Sequence, residues 1–346
     1  MEIASTPRPG TAGASRVSFL LSIQRTHGNR AAARAAGSLR RGIGGRLFRS
    51  FGTLEKDLTG AVPSPGVKVI IPPDLTKLDE LWTKGMPGIT PLEFVKRAIQ
   101  ELPAPPHQRL YLKFDVTGNG TTVAFDLKFQ EITESATRPP LPPGEPHTRA
   151  WAQIGPARWA RNVAGATRQI TFGDNQLKVR DERTDAPVGL KGGSGFSRQL
   201  FKNLLAMYTG VTPRTVMDIT ADEEGRYAWA RYGFLPSDAE WRDNIRNPIL
   251  EKVKAAEGAD LVDKLVNYAQ QNGKPISRTA AEAIDAALQR DDARALFDLV
   301  DVASAKEFLW WLFTSGIVQV WHGTLDLEDP VQGSRVRKYV GLPSTK

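Results

Sequence analysis

Residues 176–234 read QLKVRDERTDAPVGLKGGSGFSRQLFKNLLAMYTGVTPRTVMDITADEEGRYAWARYGF. The order of residue types predicts a strand, a glycine loop, a helix, a second strand and a second helix. Phe196 opens the first helix, whose apolar residues fall on one side. Thr215–Thr220 is predicted as the second strand, and Gly233 as the left-handed stop of the second helix. This alternation of elements indicates an α/β fold.

The glycine loop has a chemical use at the start of a helix. Backbone without side chains lets successive N–H groups converge on one point, and the helix N-terminus adds partial positive charge. Lys191, just before the loop, would add a mobile cation. Such a loop suits a phosphate or pyrophosphate, whereas the glycines alone favour an ordinary surface loop.

The order of these elements resembles the acetyl-CoA-binding half of the GNAT family of N-acetyltransferases. In that family a splayed strand leads to a glycine-rich pyrophosphate loop and a helix, and a second strand and helix follow. The second helix often ends in an aromatic–small–basic–x-Gly-Phe pattern, which is similar to Trp229–Phe234 (WARYGF). The resemblance covers residues 65–236 and is most specific over 176–236.

The resemblance implies acetyl-CoA as the cosubstrate and no metal. Backbone amides of the glycine loop would hold the pyrophosphate, and the splayed strand would pair with the pantetheine. The implied cofactor-binding residues are Val179, Lys191, Gly192, Gly193, Ser194, Gly195 and Phe196.

Two positions depart from the family pattern. The position where the family loop usually has Arg or Gln holds Leu190, and the usual position of the tyrosine acid holds Trp229, which cannot act as an acid. Tyr227 and Tyr232 lie nearby, although 100° per residue turns them to other sides of the helix. Tyr227 is the candidate acid for the departing thiolate.

The candidate base for the acceptor amine is a carboxylate near the splayed strand. Asp181 and Glu182 qualify by position, and Glu182 is the residue that we assign. The alternative is that both belong to a solvated charged loop. A non-catalytic binding protein on a degenerate fold of the same type is therefore an open alternative for the whole domain.

The chain before this stretch supplies further strands and a helix. Arg109–Val116 and Thr121–Ile132 alternate apolar and polar residues around a Thr-Gly-Asn-Gly turn, which predicts a β-hairpin. A strand is predicted at Val67–Ile71 and a helix at Pro91–Glu101. Residues 135–149 hold five prolines and read as an insertion or a domain boundary; we favour an insertion.

Helix start signals recur from Ser237 onward. Capping-box spacing occurs at Ser237…Glu240, Thr279…Glu282 and Ser304…Glu307. Residues 237–346 are therefore predicted to be mostly helical, with a strand at Ile317–Leu327 and a last helix that Asp329 caps. We thus expect an α/β (α+β) fold in three parts: a disordered basic segment at 1–54, a GNAT-like mixed sheet with flanking helices at 55–236, and a helical region at 237–346.

The net charge of +8 belongs entirely to the first 54 residues. This segment holds nine arginines, no lysine and one acid, and the rest of the chain holds 37 basic and 37 acidic residues. The body is therefore neutral, which argues against a general nucleic-acid-binding surface on it.

Three interpretations compete for the basic segment. An acid-poor, Arg- and Ser-rich composition fits an organellar transit peptide, and arginines fit an arm for nucleic acid or an anionic membrane. An organellar or DNA-associated acetyltransferase is the corresponding alternative function.

The third interpretation rests on Ile23–Ala31 (IQRTHGNRA), which resembles the LQRTxGNRA segment of proteins associated with bacterial extracellular contractile injection systems. That resemblance implies a toxin or effector that is made in the bacterial cytoplasm, loaded into a particle, and delivered outside or into a target cell. The residues that a particle component would read are Arg25, Gly28, Asn29 and Arg30.

The remaining composition limits the chemistry. The chain has no cysteine, and its four histidines lie far apart in sequence, so neither a disulfide nor a clustered metal site is expected. No run approaches the ~18 apolar residues of a membrane-spanning helix.

Overall fold

In the computed structural model of the chain, the strand–helix–strand stretch lies inside a nine-stranded mixed sheet. The structure describes residues 51–61, 66–103, 108–143, 150–173, 176–185, 195–209, 214–223, 225–290 and 292–343. Helices and one mixed sheet confirm the predicted α/β (α+β) class.

The strands follow one order across the sheet, β1-β2-β3-β5-β6-β7-β9-β8, with β4 paired to β5. Their bounds are β1 Val67–Ile70, β2 Arg109–Thr117, β3 Thr122–Glu134, β4 Ala152–Gly155, β5 Arg158–Phe172, β6 Gln176–Asp185, β7 Arg214–Ala221, β8 Leu235–Pro236 and β9 Trp321–Asp326. Two neighbouring pairs, β1/β2 and β6/β7, are parallel, and the other pairs are antiparallel.

The helices of the described residues separate or follow these strands. Their bounds are α1 Leu54–Thr59, α2 Leu75–Gly85, α3 Pro91–Ile99, α4 Phe196–Tyr208, α5 Gly225–Tyr232, α6 238–254, α7 Leu261–Gln271, α8 Arg278–Gln289, α9 Ala293–Phe297, α10 Ala303–Thr314 and α11 Pro330–Val340. Short 3-10 turns lie at Phe51–Thr53, Gly118–Gly120 and Asp298–Asp301. The middle of α6, Trp241–Arg246, is a π-helical turn.

One face of the sheet is apolar and helices pack on it. Contacts between aromatic rings of the helices and of the strands show this packing. Phe94 of α3 contacts Phe125 of β3, with ring centroids 5.2 Å apart. Phe196 of α4 meets Phe129 of β3 at 6.0 Å, and Phe297 meets Trp321 of β9 at 5.6 Å. These rings belong to one continuous core.

The opposite face carries polar side chains that pair with one another. Lys128 Nζ lies 2.9 Å from Asp126 Oδ2, and the Thr167 hydroxyl donates to Asp126 Oδ1 at 2.7 Å. Farther along, Lys178 Nζ lies 2.8 Å from Asp218 Oδ2. The alternation of apolar and polar residues in the strands therefore matches the two faces.

The predicted hairpin is confirmed as β2 and β3, joined by the Gly118–Gly120 turn. β3 also pairs with β5, so the proline-rich segment between them joins neighbouring strands of one sheet. Of that segment, 144–149 lie outside the described residues.

The two ends of the described chain also join this core. Phe51 and Leu54, which the charge boundary assigned to the basic segment, are buried. Within the region from 237 onward, β9 lies between β7 and β8, as part of the sheet. Residues 1–50, where the disordered segment is predicted, lie outside the described residues.

Among the residues that the structure describes, no helix combines the length and apolar character that crossing a membrane requires.

Candidate functional site at the diverging strands

The parallel strands β6 and β7 pair over part of their length and then separate. Their register runs from Gln176 opposite Arg214 to Asp181 opposite Ile219. Beyond this point β6 continues on β5 to Asp185, whereas β7 continues on β9 to Ala221. The backbone of 182–185 therefore has no paired strand on the β7 side among the described residues, which leaves a gap in the sheet.

A β-bulge lies where the strands diverge. Asp181 is opposite Arg168 of β5, and Arg183 is opposite Thr167, so Glu182 is an extra residue without a partner in β5. Bulges bend a strand and are frequent beside functional sites. The predicted base thus occupies the bulge at the gap.

Helix α4 begins after the gap. Gly195, its N-cap residue, has a left-handed φ of 65° and, as a glycine, no side chain with which to cap the first turn. A Cβ on Gly195 would meet nothing within 4 Å, so the space around it is open. Phe196 is fully buried and fixes the helix to β3. The first-turn N–H groups of α4 are consequently suited to an anion.

The predicted cofactor-binding residues divide into two groups. Lys191, Gly192, Gly193 and Ser194 lie outside the described residues, so their pyrophosphate role stays a prediction. The other predicted residues are Val179, Gly195 and Phe196. Val179 is fully buried and lies opposite Met217, two residues before the strands separate. The edge of β6 that does not pair with β7 lies at 182–185.

Tyr227, the predicted acid, lies in a contact between α5 and the turn at 298–301. Its hydroxyl donates to the carbonyl oxygen of Val300 at 2.7 Å, and the side chain is buried. Burial raises the pKa of Tyr227 to about 12, with smaller effects of Arg231, Asp301 and Tyr339. The hydroxyl is engaged in packing helices together, and the structure does not bring it to the bulge.

The point of divergence holds a buried ion pair. Arg168 donates through Nη1 to Asp181 Oδ1 and, at 3.1 Å, to the carbonyl oxygen of Thr167. The two side chains are only 1% and 2% exposed. Charges so deeply buried are tolerated when they are paired and hydrogen-bonded, and a buried pair contributes little net stability over apolar residues of the same size. Stability alone therefore does not explain why this ion pair lies where the strands diverge.

Two buried tyrosines lie near this pair. Burial raises the pKa of Tyr208, in the last turn of α4, and the charges of Arg168 and Asp181 act on it in opposite directions. Burial also raises the pKa of Tyr232, and Asp181 contributes a small increase.

A cluster of rings and arginines adjoins Tyr232. Tyr339 of α11 packs edge-on against Tyr232 with ring centroids 4.4 Å apart. Arg198 of α4 and Arg231 of α5 stack on the Tyr339 ring at 5.4 and 4.6 Å. The C-terminal helix thereby binds to both helices that flank β7.

Our sequence reasoning did not select Arg168, Tyr208 or Tyr232 as site residues. A signal was present, because Asp181 continues the buried alternation Leu177–Val179 in β6 with a charge. Tyr208 fits the apolar side of an amphipathic helix, and this pattern does not distinguish it from an ordinary core residue. Only the pairing of β5 with β6 shows that Arg168 and Asp181 meet.

In the part of the chain that the structure describes, no group of three His, Asp or Glu side chains is placed to hold a metal ion. Comparisons with protein-family models, curated proteins and solved structures find no match to this chain.

Proposed function

We propose that the sheet binds an acyl-CoA in the gap between β6 and β7 and transfers the acyl group to an amine. The divergence of these parallel strands after Asp181 and Ile219 carries the proposal. The GNAT family, which residues 176–236 resemble, uses a splayed strand followed by a glycine-rich turn and a helix for acetyl-CoA. The sheet order β6-β7-β9-β8 is compatible with that use.

In this proposal the backbone supplies most of the cofactor contacts. The free edge of 182–185 pairs with the amide groups of the pantetheine, as a sheet edge pairs with an added strand. The loop at 192–195 and the first turn of α4 hold the pyrophosphate, because their N–H groups and the helix dipole favour an anion.

The transfer needs one base and one proton for the leaving group. The amine nitrogen attacks the thioester carbonyl carbon, the C–N bond forms and the C–S bond breaks. Glu182, at the bulge, takes the proton that the amine loses. The coenzyme A thiolate that leaves takes its proton from water. Because the hydroxyl of Tyr227 is bonded to Val300, we assign Tyr227 no step in the transfer.

Delivery is the second part of the proposal. We infer that residues 1–54 carry the protein into a contractile injection particle, read through Arg25, Gly28, Asn29 and Arg30. The support is the match of Ile23–Ala31 to the injection-system segment and the confinement of all excess charge to this part. The neutral α/β body would be the payload, and its acceptor a molecule of the target cell.

Calorimetric titration of the full chain with acetyl-CoA tests the cofactor claim. We expect saturable binding, and Gly195→Trp should abolish it because the indole fills the space before α4. Gly273→Trp is a matched control: Gly273 has a φ of 66° and equally open surroundings, yet lies after α7. No heat of binding at millimolar acetyl-CoA, or equal loss in both variants, would reject the site.

Particle loading tests the delivery claim. Particles produced with the full chain should contain the protein, and particles produced with a chain lacking residues 1–50 should not. An alanine variant at Arg25, Asn29 and Arg30 should lose loading while its acetyl-CoA affinity stays unchanged. Equal loading of all three proteins would remove the loading role.

A further inference from the structure

The buried ion pair of Arg168 and Asp181 lies where three strands meet. Asp181 is the last residue of β6 that is paired with β7, and it lies opposite Ile219. Arg168 is its partner in β5, and the next pair of these two strands joins Thr167 to Arg183 across the bulge. The ion pair therefore lies at the position where β6 both leaves β7 and takes up an extra residue.

The guanidinium of Arg168 binds the backbone at the bulge as well as the carboxylate. Its Nη1 donates to Asp181 Oδ1 and, at 3.1 Å, to the carbonyl oxygen of Thr167. A bulge disrupts the strand ladder locally, and buried backbone groups beside it need hydrogen-bond partners. Both side chains are almost completely buried, where a hydrogen bond is strong. Arg168 thus supplies a hydrogen bond at the bulge, and Asp181 fixes the position of Arg168.

A second irregularity lies at the other end of the separated part of β6. Gly165 of β5 is opposite Asp185, the last residue of β6, and has a φ of 156°. A Cβ at this position would collide with the carbonyl oxygen of Leu127 in β3, so the two backbones approach each other closely. Glycines inside strands mark such bends and close approaches. The stretch 182–185 is therefore bounded by a bulge at one end and by a glycine of β5 at the other.

We propose that the Arg168–Asp181 pair positions the acyl-CoA site: it maintains the bulge, and so keeps the edge 182–185 apart from β7 and open to the amide groups of the pantetheine. The ligand in this inference rests on the proposed function, whereas the effect on the bulge is a property of the free protein. Neither side chain contacts the acyl group in this account. Both act through the backbone of β6, and they are positioning residues. An apolar pair of similar size would contribute as much stability but would not donate to Thr167.

The test replaces both charges at once, because removing one partner leaves the other charge buried and destabilises the fold. Arg168→Met with Asp181→Leu keeps apolar bulk at this position and removes the donor to Thr167. The matched control is Arg161→Met with Glu131→Leu, which removes another arginine–carboxylate pair, between β5 and β3, with Nη2 and Oε2 2.6 Å apart. Urea unfolding checks that both double variants are folded.

Hydrogen–deuterium exchange of the free proteins measures the bulge itself. Without the donor to Thr167, we expect β6 to return to regular pairing and to continue along β7. The amides of 182–185 should then exchange at least about tenfold more slowly than in the wild type, the effect of one added hydrogen bond. The control variant should exchange as the wild type does. Unchanged or faster exchange at 182–185 would overturn the inference.

Calorimetric titration of the full chain with acetyl-CoA measures the consequence for the site. The Arg168/Asp181 double variant should bind at least about tenfold more weakly than the wild type, because backbone hydrogen bonds to the pantetheine are lost. The control variant should keep the wild-type affinity. Arg168→Lys retains the charge and a donor but not the planar fork, so its affinity and its exchange should both lie between those of the wild type and the double variant.

The outcomes separate this inference from the proposed function. If the wild type does not bind acetyl-CoA, the proposed function fails and the ligand part of this inference fails with it, while exchange of the free proteins still decides whether the pair maintains the bulge. Slower exchange with wild-type affinity, or weaker binding with unchanged exchange, overturns the inference. If the double variant does not fold, Arg168→Lys decides, and wild-type exchange and affinity in that variant would also overturn it.

Discussion

At the residue scale, two tyrosines on neighbouring helices differ in the hydrogen bonding of their hydroxyl groups. Tyr208 and Tyr227 are both buried, but among the residues that the structure describes only Tyr227 has a hydrogen-bond partner for its hydroxyl. The sequence predicted a helix that begins at Phe196 after a glycine, and α4 does begin there, with Gly195 as its N-cap residue. It did not show Arg168 with Asp181, because their contact depends on the pairing of β5 with β6.

These two hydroxyls predict opposite stability effects. Tyr227→Phe leaves the Val300 carbonyl without its donor, so the free energy of unfolding should fall by about 1 kcal/mol. Tyr208→Phe removes a hydroxyl that has no partner, so the free energy should stay within about 0.5 kcal/mol or rise. Urea unfolding followed by fluorescence measures both. A larger loss for Tyr208→Phe would show that its hydroxyl is bonded in the free protein.

At the scale of elements, the sequence predicted the strands and helix ends that depend on neighbouring residues, but not those that depend on pairing with a distant strand. The hairpin β2–β3 and the cap of α11 were confirmed, the latter because Asp329 Oδ1 accepts from the N–H groups of Val331 and Gln332. The strand predicted at Thr215–Thr220 is β7, and its pairing with β9 extends it to Ala221.

The start of α8 gives an element-scale prediction. Ser277, not Thr279, is the N-cap, and its hydroxyl oxygen accepts from the N–H of Ala280 at 3.1 Å. Ser277→Ala should therefore lower the free energy of unfolding by about 1 kcal/mol. Thr279→Ala, two residues later on the exposed side, should change it by less than about 0.5 kcal/mol. Thermal and urea denaturation of the two variants would refute this assignment if the larger loss fell on Thr279→Ala.

At the scale of the whole molecule, the excess charge and the hydrophobic core lie in different parts of the chain. All the excess positive charge lies within residues 1–54, and the sheet with its helices forms one continuous core. The sequence anticipated the α/β class, and the division at residue 54 stays a prediction. It did not anticipate that Phe51 joins the core, because the predicted boundary at residue 54 rested on net charge and a phenylalanine ring is uncharged. Phe51 packs against Trp82 and Phe114, with ring centroids at 5.3 and 4.7 Å.

Two truncations measure where the folded part begins. A chain that starts at residue 51 retains the Phe51 ring, whereas a chain that starts at residue 55 leaves its site beside Trp82 and Phe114 empty. We expect the shorter chain to be less stable than the longer one by at least about 3 kcal/mol, because it lacks the buried side chains of both Phe51 and Leu54. Equal unfolding midpoints would place Phe51 outside the core.

The central claim is that an acyl-CoA occupies the gap where β6 leaves β7. Hydrogen–deuterium exchange of the full chain, with and without saturating acetyl-CoA, tests it most directly. The amides of residues 182–185 lack a paired strand on one side, so a pantetheine along this edge should slow their exchange, together with that of the first turn of α4. Binding of acetyl-CoA with unchanged exchange at 182–185 would contradict the account.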